Sequence, residues 1–372
     1  MPSSTSSSER PGLVLRQTAS DRPGVAQPVP ERDIPPQPWG RILVAAALLA
    51  ALLLGLWEAH WRDYGATPGY YANDDSQWAA QRRRINQGEG GKTVLIGSSR
   101  TLFDVNLDVW EQTLGERPIQ LALEGTTAMI VLEDLAADPH FTGRLLVGVT
   151  PDQFFTGFAS RAQAIAYFHK EGPGQRAGHW LSQRLVEPYW AFYDSDFALG
   201  KVVARLHWPL RPGLGGPAPV RKLSQMDMDR NTRMWSKVEQ DSAYRNMVRG
   251  LWTSRFAGPP PPNLNTPAKR AAAIEQQIAR AVRAVTTLRA RGVKVVFLRA
   301  PSAGDYRAFE DRAFPRAATW DVLLARTGAP GIHVDDYPQL QETDIPEWSH
   351  LSAAAARRFT AALAPLAVQQ WR

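Results

Sequence analysis

Short apolar runs alternate with helical patterns over much of this chain, and their order predicts an α/β fold. Thr93-Val94-Leu95-Ile96 is β-branched, follows Gly91, and reads as a buried strand. A helical stretch, Leu107–Leu114, comes next, and then a second strand over Pro118–Leu123. Thr126 and Thr127 are candidate caps for a helix running to about Ala137. Leu145–Val149 reads as the third strand, Lys294–Leu298 as the fourth and Gly331–Val334 as the fifth. Before the fourth, Thr266-Pro267 offers a cap and a first-turn proline. Ile274, Ile278, Val282, Val285 and Leu288 then make one helical stripe that stops at Gly292. Such alternation implies a mainly parallel five-stranded sheet covered on both faces, a three-layer α/β/α sandwich. Residues 159–265 break the rhythm with aromatics, Gly-Pro turns and the run Gly258-Pro259-Pro260-Pro261-Pro262. They are expected to form a mainly helical insertion, so the α/β domain is assembled from 92–158 and 266–372.

A different pattern precedes this domain. Ile42 to Trp57 is an unbroken apolar run, and extending it to Trp61 reaches the ~20 residues of helix that a bilayer core requires. Glu58 and His60 fall near the exit interface, and Trp39, Trp57 and Trp61 sit where an aromatic belt is expected. The run has no polar face, which argues against a buried helix of a soluble core. The long tail before it, and the lack of a small-x-small site after it, argue against a cleaved signal peptide. Residues 40–61 are therefore read as one transmembrane helix. Residues 1–39, rich in Ser, Pro and Arg, are read as a disordered tail. Residues 62–91 become a juxtamembrane linker carrying a helix over 74–87. Arg32 and Arg41 before the run balance Arg62 and Arg82-Arg83-Arg84 after it, so flanking charge leaves the orientation open.

Composition removes several classes of chemistry. None of the 372 residues is cysteine, which excludes thiol catalysis, cysteine metal sites and disulfides. The net charge is +7, but no zinc-finger or RNA-recognition signature accompanies it. The basic balance is read as a solvated surface, with no nucleic-acid partner. Gly88-Glu89-Gly90-Gly91-Lys92-Thr93 imitates a phosphate-binding loop, but its first glycine would have to fall on Asn86, and it precedes a strand instead of following one. The histidines lack metal-ligand spacing, so neither a metal nor a cofactor is called for.

Two segments carry candidate chemistry. Gly97-Ser98-Ser99-Arg100 closes the first strand, and strand ends are where open α/β sheets build their sites. Far downstream, Glu347-Trp348-Ser349-His350 places an acid three residues before a histidine, just ahead of a helix capped at Ser352. Serine, histidine and acid are the parts of a nucleophilic triad. Ser99 is the candidate nucleophile, with Ser98 second. His350 is the candidate base. Glu347 is the acid expected to orient it, with Asp344 its nearest rival. Arg100 and Arg299 flank the expected pocket, as candidates either for binding an acidic substrate group or for a structural ion pair.

With these blocks in this order, the chain resembles the SGNH, or GDSL-like, hydrolase superfamily. The nearest likeness is to its membrane-anchored branch, which includes proteins that help O-acetylate exported polysaccharides. Gly97-Ser98-Ser99 stands for the Gly-Asp-Ser block, Gly125 for the glycine after strand two, and Glu347-x-x-His350 for Asp-x-x-His. The third block departs from the family: Gly148-Val149-Thr150-Pro151-Asp152 lacks the asparagine that donates to an oxyanion. The resemblance implies oxyanion donors at the N–H groups of Ser99 and Gly125. It implies a membrane-anchored esterase or O-acyltransferase acting on a cell-envelope or exported polysaccharide. Such a protein would sit in the inner, cytoplasmic membrane as a single-pass protein with its catalytic domain outside the cytoplasm. The expected partners are the lipid bilayer, the glycan and a candidate membrane acyltransferase. The alternative is a non-catalytic accessory protein that keeps the fold and binds a glycan or that acyltransferase.

Overall fold

A computed structural model describes residues 36–205 and 222–372. The chain divides into two units, residues 1–57 and 58–372. In chain order its strands are β1 (Thr93–Ile96), β2 (Ile119–Gln120), β3 (Arg144–Gly148), β4 (Ser224–Met226), β5 (Thr232–Met234), β6 (Lys294–Arg299) and β7 (Gly331–His333). Five of them form one parallel sheet in the order β2-β1-β3-β6-β7. The chain moves outward from β1 to β2 and then returns across β1 to β3. Loops leaving β1 and β3 diverge at that reversal, which leaves a crevice beyond the carboxyl ends of the strands.

Alternation along each strand explains why the sheet is buried on both sides. Val94, Ile96, Leu145, Val147, Val295 and Phe297 join one apolar cluster with the helices Met129–Ala137 and Pro267–Ala290. Leu95, Leu146, Val296, Leu298 and Ile332 join another with the helices Leu107–Leu114 and Ala353–Trp371. The mixed α/β architecture and the five parallel strands follow the pattern read from sequence. β2 is shorter than the predicted strand. The Gln120 side chain takes the N–H of Ala122 at 3.0 Å, a local bond that competes with the ladder. Leu121 and Leu123 still donate to Leu95 and Gly97, so the segment tracks the edge of β1.

The insertion contains the helices Ala162–Lys170, Pro173–Leu185, Leu199–Arg205, Ser236–Gln240 and Ser242–Ala257. It also carries an antiparallel hairpin, β4-β5, that no sequence pattern announced. Its central stretch, 206–221, lies outside the described residues, as does the predicted tail up to residue 35. Among the described residues one helix, Trp39–Asp63, is long and apolar enough to cross a membrane. The expected aromatic belt needs one correction: Trp61 is buried, stacked on Phe197 with ring centroids 4.6 Å apart. Glu58 likewise accepts the N–H groups of Ala191 and Phe192 at 2.9 and 3.0 Å. The residues after Trp57 belong to the folded body.

Two glycines let the first site helix start flush against the sheet. A Cβ on Gly97 would lie 2.1 Å from the Thr101 hydroxyl, and one on Gly148 would lie 1.7 Å from it. Thr101 therefore fills the notch between β1 and β3. Gly148→Ala is expected to destabilise the domain by about 1–3 kcal/mol, the usual cost of overpacking. Adding Thr101→Ala, which removes the nearest atom, should recover part of that loss. Urea denaturation of the two single variants and the double variant measures the coupling.

Candidate active site

The helix Ser99–Asp104 begins at the carboxyl end of β1, and Ser99 is its first residue. Ser98 is buried, with its hydroxyl bonded to that of Thr150 across the sheet, so it serves as a tie between β1 and β3. Ser99 is partly exposed and lines a cavity, which leaves it as the accessible hydroxyl of the pair. The next residues of the helix grip the distant histidine loop. Arg100 Nε donates to the carbonyl of Ser349 at 3.1 Å. Phe103 stacks on the His350 ring, centroids 4.3 Å apart. Asp104 accepts the N–H of Leu351 at 2.9 Å. Ser99 and Phe103 lie one turn apart on the same helix face, so the stacked imidazole is carried to the side of the helix that bears the serine.

The histidine loop has an unusual backbone. Trp348 adopts φ +75°, a left-handed conformation that a bulky residue enters only at a cost of about 1–3 kcal/mol. That reversal folds the Glu347 carboxylate back onto His350. One carboxylate oxygen accepts both the His350 N–H at 2.7 Å and its Nδ1 at 2.6 Å. The other accepts Trp252 Nε1 at 2.6 Å. Both residues are enclosed, Glu347 at 0% and His350 at 2% exposure. Burial pushes the Glu347 carboxyl up, but the facing imidazole and these donors more than offset it and hold it below the ordinary value. Asp344, the rival acid, is spent elsewhere: it accepts the Ser352 hydroxyl at 2.5 Å beside the cap of the last helix. With Nδ1 committed to Glu347, His350 Nε2 is left enclosed with no hydrogen-bond partner among the described residues.

Ser99, Gly125 and His350 all line one cavity of about 290 Å³. Gly125 has φ +64°, a conformation that favours glycine, while a Cβ there would meet nothing closer than 3.9 Å. The requirement at that position is the backbone angle and not the space. Most of the other lining residues were missed in sequence, and three of them matter most for the chemistry. Gln153 follows β3, is 4% exposed, and holds its side-chain carbonyl enclosed without a partner among the described residues. Its position just past Asp152, one residue beyond the compared block, hid it. Trp252 and Arg255 come from the insertion, where no motif marks them. Arg255 pairs with Asp152 at 2.9 Å, and Tyr306 donates to the same carboxylate at 3.3 Å. The lining also includes the polar residues Asn73, Glu124, Asp194, Ser195, Asp196 and Lys222, beside Tyr71, Leu223 and Met226.

No family model matches this chain, and no curated protein or solved structure matches it either.

Arg100 and Arg299 stand in ion pairs, the structural one of the two roles expected of them. Both are buried and both bind Glu310, at 2.9 and 2.7 Å. Two buried cations on one buried carboxylate form a structural knot, because separating either from Glu310 would leave an unpaired charge out of water. Neither lines the cavity of the serine.

Asp104 is the second buried acid near His350. One of its oxygens has no partner among the described residues, and burial, only partly offset by His350, pushes its carboxyl up to about 7. The folded chain therefore holds a proton there that the unfolded chain releases near pH 4. The stabilisation is complete below that pH and is lost as pH rises through about 7. Asp104→Asn keeps an acceptor for Leu351 and cannot ionise. Its stability relative to the parent is expected to rise between pH 4 and 8 by a few kcal/mol, at about 1.4 kcal/mol per pH unit of displacement. Urea titrations at several pH values check the sign. Trp252→Phe leaves one buried oxygen of Glu347 without its donor, at an expected cost of about 1–3 kcal/mol. Thermal or urea denaturation measures it.

Proposed function

We propose that this chain is a membrane-anchored serine esterase or O-acyltransferase acting on a cell-envelope or exported polysaccharide. In this reading its domain is a three-layer α/β/α sandwich of the SGNH type held outside the cytoplasm. The observation that carries the reading is the state of His350. Its Nδ1 is fixed by a buried carboxylate, its Nε2 is unclaimed, and it shares a cavity with the accessible Ser99. An open Nε2 beside a serine-lined cavity, with Nδ1 held by a carboxylate, is the arrangement a general base needs.

The chemistry follows from those positions. The Ser99 oxygen attacks the acyl carbonyl carbon while His350 Nε2 takes the hydroxyl proton. Glu347 steadies the imidazolium that forms. The carbonyl oxygen becomes an oxyanion facing the N–H groups of Ser99 and Gly125. The Gln153 amide, lining the same cavity, supplies the donor that the third block lacks. Collapse expels the leaving alcohol, which regains the proton from His350 and leaves an acyl ester on Ser99. Water then attacks the ester in an esterase, or a sugar hydroxyl in a transferase, with His350 again as base. The polar residues of the lining, among them Asn73, Asp194 and Ser195, suit a hydroxyl-rich acceptor.

Acyl-ester turnover by the purified chain, with circular dichroism as a folding control, tests this reading. Ser99→Ala and His350→Ala are expected to lose at least about a thousandfold, and Glu347→Gln up to about ten-thousandfold. Glu347→Asp should stay active. Gln153→Ala should lose about a hundredfold in kcat with little change in KM. An organophosphonate ester should label Ser99 in the parent. Absence of labelling, together with full biological function in Ser99→Ala, would identify the chain as a glycan-binding or acyltransferase-binding accessory protein.

A further inference from the structure

The large apolar side chains exposed on the folded body are unevenly distributed. Among the described residues from 58 onward there are ten, and all but Phe158 and Met228 lie between Trp180 and Val203. Three of them, Leu185, Tyr189 and Leu199, are more than 60% exposed. Single exposed apolar residues are ordinary on a protein surface, but concentration in one short stretch marks a binding surface. The stretch mixes aliphatic groups with Trp and Tyr, whose rings combine an apolar body with a polar edge and favour the membrane–water boundary.

The same stretch holds the residues that emerge from the apolar run. Glu58 follows Trp57 directly, and its carboxylate caps the N–H groups of Ala191 and Phe192. Arg62 donates to the Tyr189 carbonyl at 3.3 Å. Trp61 stacks on Phe197. A chain that leaves a bilayer at Trp57 therefore enters the protein at the segment where its exposed apolar groups are gathered. Charge points the same way. Between residues 173 and 204 the exposed charged side chains are Arg176, Arg184 and Lys201, while Asp194 and Asp196 are partly buried and paired with Lys222 and Arg205. Basic groups around an apolar surface suit anionic lipid headgroups.

We infer that Trp180–Val203 is a membrane-interface surface that lies against the bilayer beside the point where the chain leaves its span. This rests on the reading of Trp39–Asp63 as a membrane helix. Its consequence for the active site is direct, because Asp194, Ser195 and Asp196 belong to this stretch and also line the cavity of Ser99. The cavity wall is then held at headgroup level, where a membrane-borne acyl donor or glycan would be met.

The lack of cysteine in the chain makes the test clean. Single cysteines are placed at Leu185, Leu199 and the exposed control Arg357, then labelled with an environment-sensitive fluorophore. Each full chain is reconstituted in vesicles of phosphatidylethanolamine and phosphatidylglycerol, some containing lipids with a quencher near the headgroup. Quenching at Leu185 and Leu199 is expected to exceed that at Arg357 by at least about twofold, with blue-shifted emission, as an interfacial position requires. Equal quenching at all three positions would overturn the inference. So would label–label quenching that grows with protein density without any lipid quenching, since the surface would then bind a second copy. Flotation of the same samples after a carbonate wash tests the span separately. Protein that washes off refutes the membrane reading itself, whereas protein that floats without lipid quenching refutes only the surface.

Discussion

The grip of one short helix on one distant loop underlies the whole site. Arg100, Phe103 and Asp104 hold Ser349, His350 and Leu351 by a hydrogen bond, a ring stack and a second hydrogen bond. Two hydrogen bonds and a ring stack share the grip, so no single substitution releases the loop completely. Because Ser99 opens the same helix, these contacts fix the imidazole relative to the serine. Arg100 also pairs with Glu310, which ties the helix to β6 through Arg299. The pocket is built on buried charge, and charges buried in this way stay only where their partners are fixed.

Around that grip the insertion supplies the rest. Trp252 donates to the carboxylate that orients His350, and Arg249 donates to the carbonyl of Pro346 at 2.9 Å, bracing the loop from outside. Residues 194–196 also line the cavity. The helical insertion is therefore part of the site. Its position links the residues that follow the apolar run to the wall that a substrate would touch.

The fold was legible because its signals are local. Apolar runs such as Thr93–Ile96 and Lys294–Leu298 carry their own periodicity, and both became strands of the parallel sheet. The pairing of His350 with Glu347 was legible for the same reason, since three residues separate them. What escaped depends on distance. Nothing near Trp252 in sequence reveals that its indole meets a carboxylate 95 residues away. The β4-β5 hairpin was invisible because its strands are three residues long and rich in polar groups. Arg100 and Arg299 were ambiguous because their deciding partner, Glu310, sits on a helix that no motif singles out. Trp61 looked like a belt residue because hydropathy cannot tell lipid from a neighbouring Phe197.

The contacts between the first site helix and the histidine loop join residues nearly 250 positions apart in the chain. Closing so long a loop is entropically costly and slow, and nothing rewards it until the last strand and last helix are in place. During synthesis the Ser99–Asp104 helix emerges long before the loop of His350 that it grips. Until that loop follows, Arg100, Phe103 and Asp104 lack the contacts they make in the folded chain. The connectivity thus makes assembly of this site a late event of folding.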